Sequence, residues 1–236
     1  MTGTALAPRE ALKHELDRFA PSYEKMLPKG YRPDRLITGA MLAVTKNPDL
    51  LKCTPVSVAT ALGQVAQLGL DVGITAHLVP YGQSCTFVAD YKGYIELMVK
   101  AGARKVEAHV VREGDLFEFA YGTEPYLRHQ PSGSKGARIT HAYAIVWHRR
   151  GDTQFEVMTV EEVEAIRAKS KSWARGDLLD WYARKTIIRR VAKYVPKNPA
   201  LEALLAAESG ELPPPGVTAD GEVLEGTIEE APDAAS

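Results

Sequence analysis

One segment, residues 177–196, constrains this chain more than any other, and it reads DLLDWYARKTIIRRVAKYVP. Asp177 belongs to the residue types that cap helix N-termini, and Pro196 ends the segment, so the sequence predicts one helix of about five turns between them. At about 100° per residue, the apolar residues of this helix gather on one arc. They are Ile187, Ile188, Val191, Tyr194 and Val195.

A ridge of positive charge runs along a different face of the same helix. Lys185, Arg189 and Lys193 recur at positions i, i+4 and i+8, with Arg190 beside them. Like charges at this spacing repel by roughly 0.2–0.5 kcal/mol per pair unless an anion lies on them. A solvated basic face is the alternative interpretation. The surrounding segment, residues 165–200, carries ten basic residues and two acidic ones, which favours a polyanion as the partner.

The distribution of charge along the chain supports the same partner. The 236 residues have a net charge of -1, but residues 201–236 contain nine acidic residues and no Lys or Arg. Residues 1–200 therefore hold 29 basic and 21 acidic residues, a net charge of +8. A basic body with an acidic tail is typical of a nucleic-acid-binding protein with a regulatory or partner-docking appendage.

Cysteine content and hydropathy indicate the compartment. Cys53 and Cys85 match no CxxC or metal-binding spacing, so we expect two free, buried thiols in a reducing cytosol. No apolar run approaches the roughly 20 residues that span a bilayer, and the first residues lack the apolar core of a signal peptide. We therefore expect a soluble protein of the cytoplasm with no membrane partner.

The pattern of residues predicts three regions. Residues 1–30 are expected to form a loosely attached N-terminal arm, which could dock on a neighbouring subunit. Residues 31–200 are expected to form the core. Residues 201–236 are expected to form an acidic, disordered tail, because they combine three consecutive prolines with acids and lack aromatic residues.

Helices and strands can be placed within the core. Asp34 opens a helix that ends before Pro48, and Thr54-Pro55 opens a second one that closes at Gly69. A further helix is expected over residues 91–101, and Thr159 and Glu162 fit a capping box at the start of another. The predicted strands are residues 77–82, 85–89, 105–112, 115–120, 138–147 and 154–158, with a polar loop at 122–136. This order predicts an α+β fold: an antiparallel sheet with helices packed on one side.

The sequence offers little support for catalysis. It contains no G-x-x-x-x-G-K-[ST] motif to cradle nucleotide phosphates, and its six histidines are dispersed. Asp115 and Glu118 resemble a nuclease carboxylate pair, but no D-x-K or E-x-K follows them at strand spacing. We predict no catalytic residue, no metal site and no enzyme activity.

Four separated motifs, in this order, resemble the RecT family of phage single-strand annealing proteins. They are LGLDVG (68–73), HLVPYG (77–82), ADYKGYIEL (89–97) and ARKTIIRRVAKYVP (183–196). The resemblance runs from about Arg35 to Pro196, and the segment from Lys171 to Asp177 departs from it. The resemblance implies a core like the annealing cores of RecT, Redβ and Rad52-type proteins.

The same resemblance implies a function. It implies ATP-independent annealing of complementary single DNA strands in homologous recombination, in the cytoplasm of a bacterial host. It implies single-stranded DNA and the annealed duplex as partners, a homo-oligomeric ring or helical filament, and a phage 5′→3′ exonuclease beside it. A host single-strand-binding protein is a further candidate partner. No cofactor is expected, with Mg²⁺ at most a modulator of DNA binding. The alternative is a non-annealing single-strand-binding or replication accessory protein.

Ten residues are predicted to bind DNA. Cations on the predicted helix would hold phosphates, while Tyr91 beside Lys92 and Trp173 beside Lys171 could stack on bases or belong to the core. Arg184 falls among the apolar residues of its helix, so it either pairs with a buried carboxylate or reaches the DNA groove from beneath. The predicted DNA-binding residues are Lys185, Arg189, Arg190, Lys193, Lys92, Tyr91, Lys169, Lys171, Trp173 and Arg184.

Overall fold

A computed structural model describes residues 7–169, 180–196 and 198–209 of the chain. The described residues divide into two compact units. The first comprises residues 7–89 with residues 206–209, and the second comprises the described part of residues 90–205. Among the described residues, no helix combines the length and the apolar character needed to cross a bilayer.

Among the described residues, the first unit contains four complete α-helices, a 3-10 helix (Pro48–Lys52) and a hairpin. Its elements are α1 (Pro8–Arg18), α2 (Ala20–Met26), α3 (Pro33–Lys46), α4 (Pro55–Leu68), β1 (Ala76–Tyr81) and β2 (Ser84–Ala89). The Thr54 hydroxyl accepts a hydrogen bond from the Ser57 amide at 3.3 Å, and Gly69 ends α4 in the left-handed region at φ 62°. Both predicted ends of this helix are confirmed.

The predicted N-terminal arm is better attached than we expected. Helices α1 and α2 bury Leu12, Leu16 and Tyr23 within the first unit, and the Tyr23 hydroxyl donates to the Ala59 carbonyl of α4 at 3.2 Å. The apolar residues of α1 and α2 therefore belong to the core of the first unit. This corrects the expectation of a loosely attached arm. Docking of residues 1–30 on a second subunit stays a prediction.

Of the two predicted thiols, Cys85 lies in β2 and Cys53 lies shortly before α4. Cys53 and Cys85 are both free and buried, as expected. Burial raises the pKa of the Cys85 thiol to about 12, so this sulfur stays protonated at neutral pH.

The second unit is built on an antiparallel sheet. Its strands are β3 (Ala103–Arg112), β4 (Leu116–Ala120), β5 (Tyr126–Gln130), β6 (Ile139–His148) and β7 (Thr153–Thr159). Its helices are α5 (Tyr91–Lys100), α6 (Val160–Arg167), α7 (Asp180–Val191) and the first part of α8 (Pro199–Ser209). The larger sheet has the order β3–β6–β7, and β4 and β5 form a separate hairpin.

The two faces of the larger sheet have different partners. Ala144 of β6 pairs with Glu156 of β7, whose carboxylate contacts α7, so this face lies beneath the helices. The opposite face carries Val111, Tyr143 and Val157, on which the β4–β5 hairpin packs. The predicted α+β class, an antiparallel sheet with helices on one side, is confirmed.

One strand was missed. Residues 122–136 were predicted as a polar loop, but Tyr126–Gln130 forms β5 and pairs with β4. Leu127 packs on the sheet from this strand, and His129 makes two buried hydrogen bonds that satisfy its polar ring. A strand with so few apolar residues gives little alternation to detect.

The C-terminal boundaries also differ from the prediction. The α-helical geometry of α7 stops at Val191, and Ala192–Tyr194 forms a 3-10 turn. Because a 3-10 turn rotates about 120° per residue, Tyr194 leaves the apolar arc and is 55% exposed. The predicted cap Asp177 lies outside the described residues.

Part of the predicted tail is helical. Residues 201–209 belong to α8, where Leu201 and Leu204 are buried and the Asn198 side chain accepts from the Leu201 amide at 2.8 Å. The two leucines explain why a helix forms here, which corrects the predicted start of the tail at residue 201. Residues 210–236 lie outside the described residues.

Candidate nucleic-acid interface

Helix α7 is fixed on the sheet along one face. Ala183, Ile187, Ile188 and Val191 are fully buried, and α7 packs against β6, β3 and α5. At its start, Asp180 Oδ1 accepts a hydrogen bond from Arg112 Nη2 at 2.5 Å, from the last residue of β3. Burial of a whole apolar face holds the helix, and with it the cations that it carries, in one orientation.

The predicted ridge divides between helix and turn. Lys185 and Arg189 are half-buried on α7, four residues apart, and both make further polar interactions. Lys193 is exposed, but it lies in the 3-10 turn after α7 rather than on the α-helix. The three cations therefore follow one another along the chain without the straight i, i+4, i+8 geometry.

Arg190 is engaged inside the protein. Its Nη1 donates to Glu162 Oε1 at 2.8 Å, and its Nε lies 3.3 Å from Glu156 Oε2. The hydrogen bond from Arg190 lowers the pKa of the Glu162 carboxyl, and the same bond raises the pKa of the guanidinium. Two carboxylates thus compensate its charge, which leaves less of it for a phosphate than the prediction assumed.

Arg184 has no carboxylate partner among the described residues. Its side chain is half-buried, and its Nε is shielded from solvent without a hydrogen-bond acceptor in that part of the chain. The predicted pairing with a buried carboxylate is not found there. Contact of Arg184 with DNA stays a prediction.

Tyr91 and Lys92 lie together at the start of α5. The Asp90 carboxylate caps this helix by accepting from the Lys92 amide at 2.9 Å. Lys92 is exposed, and its Nζ lies 6.0 Å from the centre of the half-buried Tyr91 ring. Since α5 packs directly on α7, these residues belong to a helix neighbouring the ridge.

Three further predicted residues lie after α6. Lys169 is exposed two residues beyond the end of that helix. Lys171 and Trp173 lie outside the described residues.

The carboxylate that resembled a nuclease ligand is used structurally. Asp115 Oδ1 accepts from the Ser132 amide at 2.7 Å, and Oδ2 accepts from the Arg112 amide at 2.8 Å and contacts His129 Nε2 at 3.1 Å. These backbone hydrogen bonds, first that of Ser132, hold the pKa of the Asp115 carboxyl well below its usual range. The other ring nitrogen of His129 lies 3.1 Å from the Tyr143 hydroxyl. The network joins the β4–β5 hairpin to the sheet.

Comparison with known proteins identifies the family. The RecT family model matches residues 34–214. Protein RecT of Escherichia coli (strain K12) is 34% identical over 200 residues, which cover 78% of this chain and 74% of that protein. The chain belongs to the RecT family. RecT-family proteins are recombination-related single-strand annealing proteins that bind single-stranded DNA, and no enzyme activity is known for the family.

The RecT match includes every residue predicted to bind DNA, from Tyr91 to Lys193. It begins at Asp34, the first acidic residue of α3, and so leaves out helices α1 and α2. It also leaves out residues 215–236, which contain six of the acidic residues of the predicted tail.

One basic surface of the second unit was missed by sequence reasoning. Arg104 and Lys105 at the start of β3, and Arg149 and Arg150 after β6, are adjacent in pairs but far apart in sequence. Antiparallel pairing of Ala103 with His148 brings the two pairs together. The available signal was two basic dipeptides, one at the start of predicted strand 105–112 and one shortly after predicted strand 138–147.

Proposed function

We propose that this RecT-family protein anneals complementary DNA strands without ATP and that helix α7 holds the backbone of one strand. The observation that carries the proposal is the arrangement of α7, which buries one face on the sheet and carries Lys185 and Arg189 beside it, with Lys193 exposed after its end. Cations on a fixed helix neutralise phosphates without reading sequence.

This arrangement suits annealing in particular. An annealing protein has to hold the sugar-phosphate backbone while leaving the Watson–Crick edges of the bases free for the partner strand. Lys and Arg contacts to phosphates meet this requirement, whereas side chains that bind base edges would compete with pairing. Lys92 and Tyr91 on the neighbouring helix are proposed to extend the same surface, with Tyr91 stacking on a base.

The remaining parts of the proposal concern cofactors and partners. The sequence has no P-loop motif, which supports pairing without nucleotide hydrolysis, and we propose Mg²⁺ only as a modulator of DNA binding. We also propose a homo-oligomeric ring or filament that acts in the bacterial cytoplasm beside a 5′→3′ exonuclease, with a host single-strand-binding protein as a further partner. These proposals rest on family membership.

A strand-pairing assay tests the proposal directly. Two complementary oligonucleotides that carry a fluorescence donor and acceptor are mixed with the purified full-length protein, without nucleotide. We expect pairing to be faster than the spontaneous reaction, and the variant K185A/R189A/K193A to lose most of this acceleration. A protein that binds each strand but does not accelerate pairing would instead be a single-strand-binding or replication accessory protein. Degradation of the labelled strands with divalent metal would indicate a nuclease.

A further inference from the structure

A second basic surface lies at one end of the β3–β6–β7 sheet, and we define it as the sheet-end cluster of Arg104, Lys105, Arg149 and Arg150. The register pairs Ala103 with His148 and Lys105 with Trp147, so the start of β3 lies beside the end of β6. All four cations are exposed. From backbone dimensions, Arg104 and Arg149 have Cα atoms at most about 13 Å apart.

Acidic residues compensate only part of this charge. Glu107 contacts Lys105 Nζ at 2.5 Å, and Asp152 lies in the turn before β7. No ion pair to Arg104, Arg149 or Arg150 exists within the described residues, and the six charged side chains sum to +2. Clustered cations repel one another, and a bound polyanion relieves that repulsion.

Local contacts hold the cluster in place. Lys105 Nζ lies 4.9 Å from the centre of the Trp147 ring, which keeps this side chain on the surface of the sheet. The β6–β7 turn is closed by hydrogen bonds from the His148 amide to the Asp152 carbonyl at 2.8 Å and from the Gly151 amide to the His148 carbonyl at 3.1 Å. The arginines thus project from a defined strand start and a defined turn.

Arg104, Arg149 and Arg150 have no ion pair among the described residues, and their side-chain chemistry indicates the class of ligand. The arginine guanidinium donates paired, parallel hydrogen bonds that match the geometry of a phosphate group. Among the residues of the cluster, no exposed aromatic side chain is present to stack on a base, because Trp147 is partly buried beneath Lys105. Contacts between guanidinium groups and phosphates hold the nucleic-acid backbone and do not discriminate between base sequences.

The cluster and the start of α7 lie at opposite ends of one strand. Helix α7 begins beside Arg112, the last residue of β3, whereas Arg104 follows its first residue. Arg104 and Arg112 are eight positions apart along the strand, which corresponds to roughly 26 Å. From its start beside Arg112, α7 runs toward the middle of the sheet, where Arg190 contacts Glu156 of β7, whose strand partner is Ala144. The cluster lies at the end of the sheet where β3 starts.

We propose that the sheet-end cluster binds the sugar-phosphate backbone of the second, incoming DNA strand. This inference rests on the annealing function proposed above, in which α7 holds the first strand. A second strand adds negative charge beside the first, so its capture requires cations that the first strand has not already neutralised.

The test separates capture of the second strand from binding of the first. Full-length protein is loaded with an unlabelled oligonucleotide, and a labelled non-complementary strand is then titrated at several salt concentrations. The variant R104A/R149A/R150A should bind the first strand within about twofold of the unmodified protein but capture the second about tenfold more weakly. Its log K against log[salt] slope for capture should fall by about two, at roughly 0.7 per phosphate contact. The control R128A/K135A/R138A removes the same charge from exposed positions elsewhere in the second unit and should leave capture unchanged.

Three other outcomes overturn the inference. Equal losses for both strands would place the cluster in the first-strand site, and a result matching the control would leave it without a role in DNA binding. The variant R104K/R149K/R150K should restore the salt slope of second-strand capture. This result would show that the alanine variant lost charge rather than its fold. If the loss of capture disappears when the acids of residues 210–236 are replaced by their amides, the cluster binds the acidic tail instead. Unmodified protein that captures a second strand but does not pair complementary ones would refute the annealing function and leave this site standing.

Discussion

Arg190 of α7 donates a hydrogen bond to Glu162 Oε1 at 2.8 Å, and the other carboxylate oxygen of Glu162 accepts from the Thr159 amide at 3.0 Å. Thr159 is the last residue of β7 and the N-cap of α6. A single carboxylate therefore joins a strand end, the helix that follows it and the helix that carries the basic ridge. Because of this contact, we assign Arg190 to stabilising the fold. The cations proposed to bind DNA are Lys185, Arg189 and Lys193.

Replacing the ridge should weaken DNA binding without sequence preference. We expect K185A/R189A/K193A to bind single strands of any composition more weakly, because phosphate contacts are lost. The slope of log K against log[salt] should fall by about two, at roughly 0.7 per contact on single strands. Fluorescence anisotropy at several salt concentrations measures this. A folded triple variant with an unchanged slope would remove α7 from the interface.

Replacing Arg190 should instead affect stability. We expect R190A to lower the free energy of unfolding by about 1 kcal/mol, since a partly exposed ion pair is screened by solvent. The change in salt slope should be smaller than for any single ridge residue. Thermal melting of R190A, E162A and the double variant R190A/E162A completes a double-mutant cycle. The cycle isolates the free energy of coupling between the two side chains. Additive effects of the two substitutions would contradict the coupling that the geometry indicates.

The Asp115 network should make stability depend on acid pH. The pKa of this carboxyl is lowered in the folded protein, so its ionised form stabilises the fold above the pKa of the unfolded chain, about 3.9. That contribution is lost as the pH falls below about 4 toward the folded value. We expect D115N to melt at a lower temperature than the unmodified protein at pH 7, and the difference to shrink between pH 4 and pH 2.5.

The control for this prediction is E118Q, an acid on the neighbouring β4 strand whose side chain is exposed. The E118Q variant should have the same melting temperature as the unmodified protein at pH 7 and at pH 2.5. A difference between D115N and the unmodified protein that stays constant with pH would show that the network stabilises by shape rather than by charge.

The acidic tail should compete with DNA at low salt. The sequence predicts a regulatory or partner-docking tail. Regulation would take the form of electrostatic competition with DNA, and the alternative is docking to another protein or a contribution to solubility. Because α8 runs to Ser209, truncation after residue 207 would cut a helix, and replacing the acids of residues 210–236 with amides is the cleaner change. We expect this full-length variant to bind single strands more tightly at about 50 mM salt, with the gain shrinking as screening increases. Equal affinities at about 50 mM salt would leave the docking or solubility role.

Much of the fold could be predicted because local signals agreed with the tertiary structure. The helix predicted near Asp34 is present as α3, and the capping box of Thr159 and Glu162 has both of its hydrogen bonds. The residues that α3 buries recur at helical spacing: Leu36, Ile37, Ala40, Met41 and Val44. Helix caps and 3.6-residue periodicity are properties of a few neighbouring residues, so a single sequence carries them.

The rest depends on contacts between distant residues. The roles of Arg190 and Asp115 are decided by Glu162, 28 residues away, and by Ser132, 17 residues away. Charge counts along the sequence treat Arg190 and Lys193 alike, although one is paired and the other is exposed. The sheet-end cluster follows from strand register, which the pattern of single strands did not provide.

The β4–β5 hairpin also covers part of one edge of the β3–β6–β7 sheet. β7 is the last strand of the order β3–β6–β7, and an outer strand presents backbone amides that could pair with another chain. The Tyr121 hydroxyl accepts a hydrogen bond from the Val157 amide at 3.0 Å, while its ring stacks on Phe155 at 5.2 Å between centres. An aromatic side chain thus occupies the place where a foreign strand would add. Growth of an assembly by extending this sheet across β7 would first have to displace Tyr121 from the Val157 amide.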